Sequence, residues 1–297
     1  MRVGVMLPIG DEVEPGVPRG YSDIRDLAVH AESAGLDAVW VYDHLLGDSV
    51  EDAGSSPWEA WTVLSALAEA TSTVSLGALV LCTAFRPAGV LARMADSLQE
   101  VSGGRLVLGL GAGWHQPEFD AFHLPFDHRV GRFSEALEII ATMLREGRAT
   151  LRGEYHQVEN APVRERPDRP VPPILVAGVR PRMLDLTAQY ADVWNLAWYG
   201  LPNDRFREAN AALDEACRKI DRDPATLART AGILVGTPSG DDEGDQRVVP
   251  ADPARIAAAF AAWAAEGVSE LICRPDPSDA ATVSVIADGY ARYRAGA

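Results

Sequence analysis

The sequence has 297 residues, of which 47% are hydrophobic and 24% charged, and its formal net charge at pH 7 is −16. This is the composition of an ordinary soluble globular protein, and no apolar run is long enough to span a bilayer. The negative charge disfavours nucleic acids and anionic membranes as partners, because both would repel the average surface. The length exceeds that of a typical domain, but a barrel of alternating strands and helices can accommodate it as one unit.

The cysteines indicate the compartment. Cys82, Cys217 and Cys273 are odd in number, widely spaced and match no metal-binding pattern. We therefore expect a protein of the reducing cytoplasm and predict no metal site. The amino terminus, MRVGVMLPIG, lacks a signal-peptide pattern, and we interpret it as the first core strand.

The chain alternates between apolar runs typical of buried strands and periodic segments typical of amphipathic helices. The predicted strands cover residues 2–9, 37–42, 74–81, 106–110, 174–177, 192–196, 229–235 and 269–273. The first predicted helix has Ser22 as its N-cap, and the others cover residues 57–70, 87–101, 132–145, 182–190, 204–220, 252–265 and 278–293. Eight alternations without a repeat or linker favour a closed (β/α)8 TIM barrel in the α/β class, and we predict one domain over residues 1–297.

Two segments interrupt the alternation. Between residues 150 and 158, two short runs flank Arg152-Gly153-Glu154, which predicts an inserted antiparallel β-hairpin. The proline-rich residues 162–173 are then an extended connector, so that the insertion covers residues 150–173. Residues 238–250 are predicted to form an acidic loop.

The active site of such a barrel is built from the loops that follow its strands. The second strand ends in Asp43 and His44, and the fourth opens into Gly111 and Gly113 before Trp114. Only one strand end supplies a histidine together with a carboxylate, which argues against a metal hydrolase. The remaining surface is apolar, flat and rich in glycine. It suits an aromatic cofactor, with His44 as the group that exchanges a proton near neutral pH.

Five segments carry a resemblance to a known family. They are DHL after the second strand, SGGRLVLGLGAGWHQPEF at the fourth, RVGRFSEALEII in the next helix, PPILVAGVRPRML at the fifth strand, and ADVWN at the sixth. In order and spacing they resemble the bacterial luciferase-like monooxygenase superfamily, and most of all its branch that uses the deazaflavin coenzyme F420. The resemblance covers nearly the whole chain up to Trp198. It implies a barrel with a flavin-type ring at the carboxyl ends of the strands.

The resemblance also assigns individual site residues. Asp43 and His44 match the catalytic pair beside the ring, with His44 as the acid or base. The bulge behind the ring corresponds to Leu79 and Val80, with a non-proline cis peptide between them. The other cofactor-binding positions that match are Gly111 and Gly113 at the ring edge, and Ala177, Gly178 and Val179 as the loop that receives the phosphate at the start of a helix. From the residues themselves we add Trp114, whose indole offers a large apolar wall after these glycines.

Trp114 stands where some deazaflavin dehydrogenases of the family have a glutamate acid, which weakens an assignment as a sugar-phosphate dehydrogenase. From the residues alone, Asp43 and His44 could also form a loop salt bridge or a helix cap, and Trp114 could be core packing.

The predicted function is hydride transfer between F420 and a small organic substrate, with His44 handling the proton. One alternative is a two-component monooxygenase, in which a separate reductase supplies reduced FMN and the pocket shields a peroxide from water. The other is a non-catalytic flavin-binding member. We expect a small-molecule substrate, a separate flavin or F420 reductase as a partner, and a homodimer. The apolar faces of the helices at residues 57–70 and 87–101 are candidates for the dimer interface.

Overall fold

The computed structural model describes residues 1–10, 12–14, 17–47, 56–164, 170–237 and 247–296. The strands in this part of the chain are β1 (Arg2–Met6), β2 (Glu12–Glu14), β3 (Val17–Pro18), β4 (Ala38–Val41), β5 (Ser75–Ala78), β6 (Leu81–Cys82), β7 (Leu106–Gly111), β8 (Arg148–Arg152), β9 (Gln157–Pro162), β10 (Ile174–Ala177), β11 (Val193–Tyr199), β12 (Ala228–Gly236), β13 (Val248–Pro250) and β14 (Glu270–Asp276). The helices are α1 (Tyr21–Ser33), α2 (Ala60–Ala70), α3 (Ala88–Val101), α4 (Gln116–Ala121), α5 (Arg129–Glu146), α6 (Pro181–Tyr190), α7 (Asp204–Arg218), α8 (Pro253–Ala265) and α9 (Ala280–Ala295).

A closed parallel barrel forms the centre of the fold. Its strands follow one another in the order β1, β4, β5, β7, β10, β11, β12 and β14, and β14 pairs with β1 to complete the ring. Each neighbouring pair is parallel. The predicted TIM barrel is thus confirmed. The apolar faces of the helices pack against the outside of the barrel in one continuous core, which includes Ile24, Leu64, Leu91, Leu137 and Phe260.

A second, smaller apolar cluster fills the inside of the barrel. Trp40 lies in it with Met6, Leu175 and Ile272. Its indole nitrogen donates a hydrogen bond of 3.0 Å to the buried carboxyl of Glu270, at the start of β14. The barrel is therefore packed and is not a pore. Space for a ligand is expected in the loops at the carboxyl ends of the strands.

The inserted hairpin is confirmed, because β8 and β9 pair in antiparallel fashion and Arg152 lies opposite Gln157. Of the predicted connector, only residues 162–164 and 170–173 lie within the described residues.

Two local predictions are wrong. Val248–Pro250, expected in the acidic loop, forms β13 and pairs in parallel with β12 beyond the barrel, where the backbone of β12 offers free hydrogen-bonding groups. Residues 238–246 of that loop lie outside the described residues. Ser22 is not an N-cap, because α1 already begins at Tyr21. Gly20 caps it instead, and its N–H donates to the carboxylate of Asp23 at 3.2 Å.

The described residues contain no disulfide bond, no candidate metal site and no candidate membrane-spanning helix. The cysteines Cys82, Cys217 and Cys273 are buried free thiols. In the part of the chain that the structure covers, no group of three His, Cys, Asp or Glu side chains is placed to hold a metal ion. Among these same residues, no helix has the length and apolar character needed to cross a membrane.

Candidate functional site

The predicted site residues all lie at or just after the carboxyl ends of barrel strands, namely β4, β5, β7 and β10. The sheet register brings two of these ends side by side. Val176 on β10 lies opposite Leu110 on β7, so the next pair of positions, Ala177 and Gly111, are neighbours across the sheet. The same row continues onto β11, where Asn195 lies opposite Ala177.

The third barrel strand contains the predicted bulge. Pairing stops at the end of β5 and resumes with β6, which joins β7 at Leu81 and Leu110. The two residues between them, Leu79 and Val80, are joined by a cis peptide bond, as predicted. Both pack against the cluster inside the barrel. The bulge therefore presents apolar side chains to the interior at the level of the strand ends.

The two glycines after β7 have a packing explanation. A Cβ atom at Gly111 would lie 2.6 Å from a methyl carbon of Val80. Gly113 has a φ of +74°, and a Cβ there would lie 2.6 Å from the sulfur of Cys82. Glycine lets the end of β7 approach the bulge and β6 this closely. Contact of either glycine with a cofactor stays a prediction.

Asp43 binds groups of the protein itself. Its buried carboxylate accepts hydrogen bonds from Arg86 at 2.8 and 3.0 Å and from the backbone N–H of Cys82 at 2.9 Å. Arg86 also pairs with Glu59, the N-cap of α2. Burial alone would lower the pKa of Arg86, but hydrogen bonds and charges from the two carboxylates outweigh it and raise that pKa. These contacts tie β4 to β6 and α2. A catalytic role for Asp43 stays a prediction.

His44 lies beside different groups. Its Nδ1 is 3.1 Å from Oε1 of Glu118, and its ring meets Trp114 edge-on with 5.5 Å between the ring centroids. The side chain of His44 is 30% exposed, whereas that of Glu118 is 2% exposed. His44 is therefore the accessible member of the pair, and Glu118 supports it from below.

Sequence reasoning missed the role of Glu118. This residue lies in the first turn of α4, a short helix within a segment without apolar periodicity. Burial raises the pKa of its carboxyl, but hydrogen bonds from His44 and from the backbone N–H groups of Leu45 and Leu46 outweigh it, so that the pKa lies below its ordinary value. The available signal was Pro117 followed by an acidic residue, which is typical of a helix start. Nothing in it identified His44 as the partner.

The side chains of Trp114 and Cys82 limit which reactions this site could perform. Trp114 is 68% exposed, which excludes the core-packing interpretation and leaves an open aromatic surface beside His44. Burial raises the pKa of Cys82 to about 12. The thiol therefore stays protonated near neutral pH, and because the thiolate is the reactive form, Cys82 is not a nucleophile. His44 is an accessible group at this site of a type that can exchange a proton near neutral pH, and the partly exposed ring of His115 lies beside it.

The predicted phosphate loop leads into α6. Gly178 has a φ of +140°, and its carbonyl oxygen accepts a hydrogen bond of 2.9 Å from the indole of Trp194. Val179 is 38% exposed. The helix begins two residues later, at Pro181, so its N-terminal end lies next to this loop.

A cleft of about 450 Å³ lies near the start of α6, and its lining includes Arg129, Tyr155 and Arg182. Within the described residues, neither arginine is ion-paired with a carboxylate. None of the predicted cofactor-binding residues lines the cleft. Arg129 also borders a separate, smaller hollow of about 50 Å³, which Ala112 of the loop after β7 lines as well.

The residues at the inner end of the barrel, namely the bulge, Trp198 and Asn195, fit a flat aromatic cofactor that carries a ring N–H group. The bulge residues Leu79 and Val80 and the side chain of Trp198 form an apolar surface. Asn195 is 1% exposed, and its Nδ2 donates to the hydroxyl of Thr230 at 2.9 Å. Because that hydroxyl already donates to a backbone carbonyl, the orientation of the amide is determined. Its Oδ1 then has no partner among the described residues. A buried acceptor of this kind is rare and suits a donor on a ligand.

Comparison with known proteins supports the family resemblance seen in the sequence. Residues 1–271 match the family model of the luciferase-like monooxygenases. The F420-dependent glucose-6-phosphate dehydrogenase of Amycolatopsis mediterranei is 36% identical over 165 residues, which are 54% of this chain and 48% of that protein. Pyrimidine monooxygenase RutA of Methylorubrum extorquens is 32% identical over 237 residues, 75% of this chain and 64% of that protein. The chain thus spans about half to two thirds of the length of these curated relatives.

Solved structures share the whole fold. An F420-dependent secondary alcohol dehydrogenase in complex with an F420–acetone adduct superimposes with a TM-score of 0.81 at 17% identity, over 99% of each chain. Monooxygenase RslO1 from Streptomyces bottropensis has a TM-score of 0.77 at 20% identity, over 99% of this chain and 100% of that chain. At these identities the likeness shows the fold alone. Since the family model matches most of the sequence, the protein belongs to the luciferase-like monooxygenase family, an enzyme family in which its relatives include F420-dependent oxidoreductases and monooxygenases.

Proposed function

We propose that the protein is an F420-dependent oxidoreductase that transfers a hydride between the deazaflavin ring and a small organic substrate. The observation that carries this proposal is the position of His44. It is a partly exposed histidine at the carboxyl end of the barrel, next to an open tryptophan surface and supported by a buried carboxylate. When bound, F420 supplies the hydride chemistry, and the protein supplies binding, orientation and proton transfer.

The residues around His44 divide these tasks. The apolar bulge of Leu79 and Val80 provides a surface for one face of the ring. Trp114 provides a second apolar surface, on which the substrate is held close to His44. The imidazole takes up or gives the proton that accompanies the hydride, because histidine is the side chain that exchanges protons near neutral pH.

We assign the phosphate of the cofactor to the loop at Gly178. The positive end of the α6 dipole lies next to this loop and favours an anion placed there. Arg182 in the first turn of α6 and Arg129 across the cleft bring positive charge to this region, although Glu135 and Glu154 line the same cleft. The phosphate would neutralise two arginines that have no carboxylate partner within the described residues.

A monooxygenase that uses reduced FMN from a separate reductase is the second candidate. Pyrimidine monooxygenase RutA aligns with 75% of this chain, whereas the F420-dependent glucose-6-phosphate dehydrogenase aligns with 54%. In that case Trp114 would shield an oxygen-bearing site from water. The supported pair of His44 and Glu118 argues against a non-catalytic flavin-binding member, because binding alone needs no positioned proton donor.

Cofactor titration separates the candidates. Purified protein is titrated with F420 and with FMN, each oxidised and reduced, and binding is followed by fluorescence polarisation. We expect F420 to bind at least tenfold more tightly than FMN. The loaded protein is then mixed with a panel of alcohols, starting with secondary alcohols, and F420 reduction is followed by absorbance. Selective binding of reduced FMN, with oxygen consumption, would overturn the proposal in favour of the monooxygenase.

A further inference from the structure

The carboxylate of Glu118 holds the loop after β4 at three consecutive residues. Its Oε1 accepts hydrogen bonds from Nδ1 of His44 at 3.1 Å and from the backbone N–H groups of Leu45 and Leu46 at 2.5 and 3.2 Å. We propose that Glu118 is a positioning residue that keeps the proton of neutral His44 on Nδ1, so that Nε2 is the atom that exchanges a proton with the substrate. The second half of this statement rests on the proposed function.

The position of the proton follows from the charge of the carboxyl. All three groups that approach Oε1 are donors or potential donors, and together they hold the pKa of Glu118 below its ordinary value. The carboxyl is therefore ionised near neutral pH and has no hydrogen to donate. The hydrogen between it and His44 must belong to Nδ1. In a neutral imidazole the lone pair then lies on Nε2.

The same contacts restrict the orientation of the ring. The Nδ1 edge is fixed by Glu118, and the rings of Trp114 and His115 stand nearly perpendicular to that of His44, at centroid distances of 5.5 and 6.0 Å. Rotation of the imidazole would break a hydrogen bond to a carboxylate that is only 2% exposed. The negative charge of Glu118 would also stabilise the imidazolium that forms when Nε2 takes up a proton.

Glu118 can be replaced in two ways that separate its properties. Glu118→Gln keeps an acceptor oxygen but removes the charge, and Glu118→Leu removes both. Asp120→Asn is the matched control, because Asp120 is an exposed carboxylate on the same helix. Protein labelled with ¹⁵N in its histidines is titrated with base and followed by NMR, and the tautomer is determined at the pH above which the His44 signals no longer move. The signals of His44 are identified by their absence in His44→Ala.

We expect wild type, Asp120→Asn and Glu118→Gln to show His44 with the proton on Nδ1. Glu118→Leu should show a mixture of tautomers or the proton on Nε2. With F420 bound, turnover in Glu118→Leu should fall roughly ten- to a hundredfold, as is usual for residues that orient a functional histidine, with less than a threefold change in cofactor affinity. An unchanged tautomer in Glu118→Leu, or a wild-type proton on Nε2, would overturn the proposal.

The spectra are recorded without cofactor, so they do not depend on the proposed function. If the tautomers behave as expected but neither F420 nor FMN binds, the proposed function fails while the role of Glu118 in positioning His44 stands. If cofactor affinity falls by the same factor as turnover in Glu118→Leu, Glu118 serves only to hold the loop, and the positioning role is refuted.

Discussion

Asp43→Asn tests whether Asp43 serves the fold or the chemistry. The carboxylate is 1% exposed and faces the two terminal nitrogens of Arg86, which is itself 12% exposed. Asparagine has the same shape, but it carries no charge and turns an NH₂ group toward a hydrogen-bond donor. Arg86 would keep a hydrogen bond to the amide oxygen, but the only carboxylate left to it among the described contacts would be that of Glu59, whose side chain is 42% exposed. The substitution therefore leaves a largely buried cation with a single, solvated anionic partner among the contacts that the structure describes.

The expected loss of stability follows from this geometry. Removing one partner of a buried ion pair costs about 3–5 kcal/mol. Because Glu59 still faces Arg86, we expect the lower end, about 3 kcal/mol. Because the unfolding entropy is about 2.1 cal/mol/K per residue, a chain of 297 residues loses about 1.6 °C in Tm per kcal/mol, and the Tm should fall by about 5 °C.

Urea unfolding and calorimetry at pH 7 measure this loss. Glu159→Gln is the control, because its pair with Arg152 is 77% and 76% exposed, and the loss of such a pair costs less than about 1 kcal/mol. A variant Asp43→Asn that unfolds within about 1 kcal/mol of the wild type, while its turnover falls a hundredfold or more, would refute the structural interpretation. Asp43 would then act in the chemistry, as the sequence predicted.

Further predictions address the site, the barrel interior and assembly. His44→Ala should lower turnover by roughly two to four powers of ten with nearly unchanged cofactor binding. Gly178→Asp, which places a carboxylate at the proposed phosphate site, should instead weaken cofactor binding. An equal loss of binding in both variants would contradict the separate roles of His44 in turnover and of Gly178 in binding. Burial raises the pKa of Glu270, so the stability linked to this group is present below its unfolded pKa and is lost as the pH rises through its folded pKa. Glu270→Gln should therefore be more stable than the wild type at pH 7 and lose that advantage near about pH 4, and a constant difference across a series of urea titrations would contradict it. Light scattering should give twice the chain mass of 31.9 kDa. Val90→Glu, at a position on α3 that is 52% exposed, should give monomers, whereas the control Val29→Glu, at a position on α1 that is 41% exposed, should stay dimeric. A monomeric wild type would contradict the dimer hypothesis.

The local sequence was enough to predict most of the architecture. Apolar runs and helical periodicity depend on residues close together in the chain, and they predicted the eight barrel strands and the hairpin at β8 and β9. The resemblance of five segments to one family predicted the cis bond between Leu79 and Val80. Two predictions were wrong because the local sequence allowed another arrangement. Helix α1 is capped by Gly20 and Asp23 and not by Ser22, and residues predicted as loop form β13 by pairing with the free edge of β12.

The sequence by itself therefore determined the barrel, and it predicted the strand ends as the place of the site and His44 as the group that exchanges a proton. Only the tertiary structure decided which groups support that histidine. Glu118 is 74 residues from His44, and Arg86 is 43 residues from Asp43. Neither Glu118 nor Arg86 belongs to a periodic sequence pattern. The fold brings each of them to its partner from a distant part of the chain, so the residues next to it in the sequence do not reveal the contact. The same register left Oδ1 of Asn195 buried without a partner among the described residues, which no property of the local sequence could indicate.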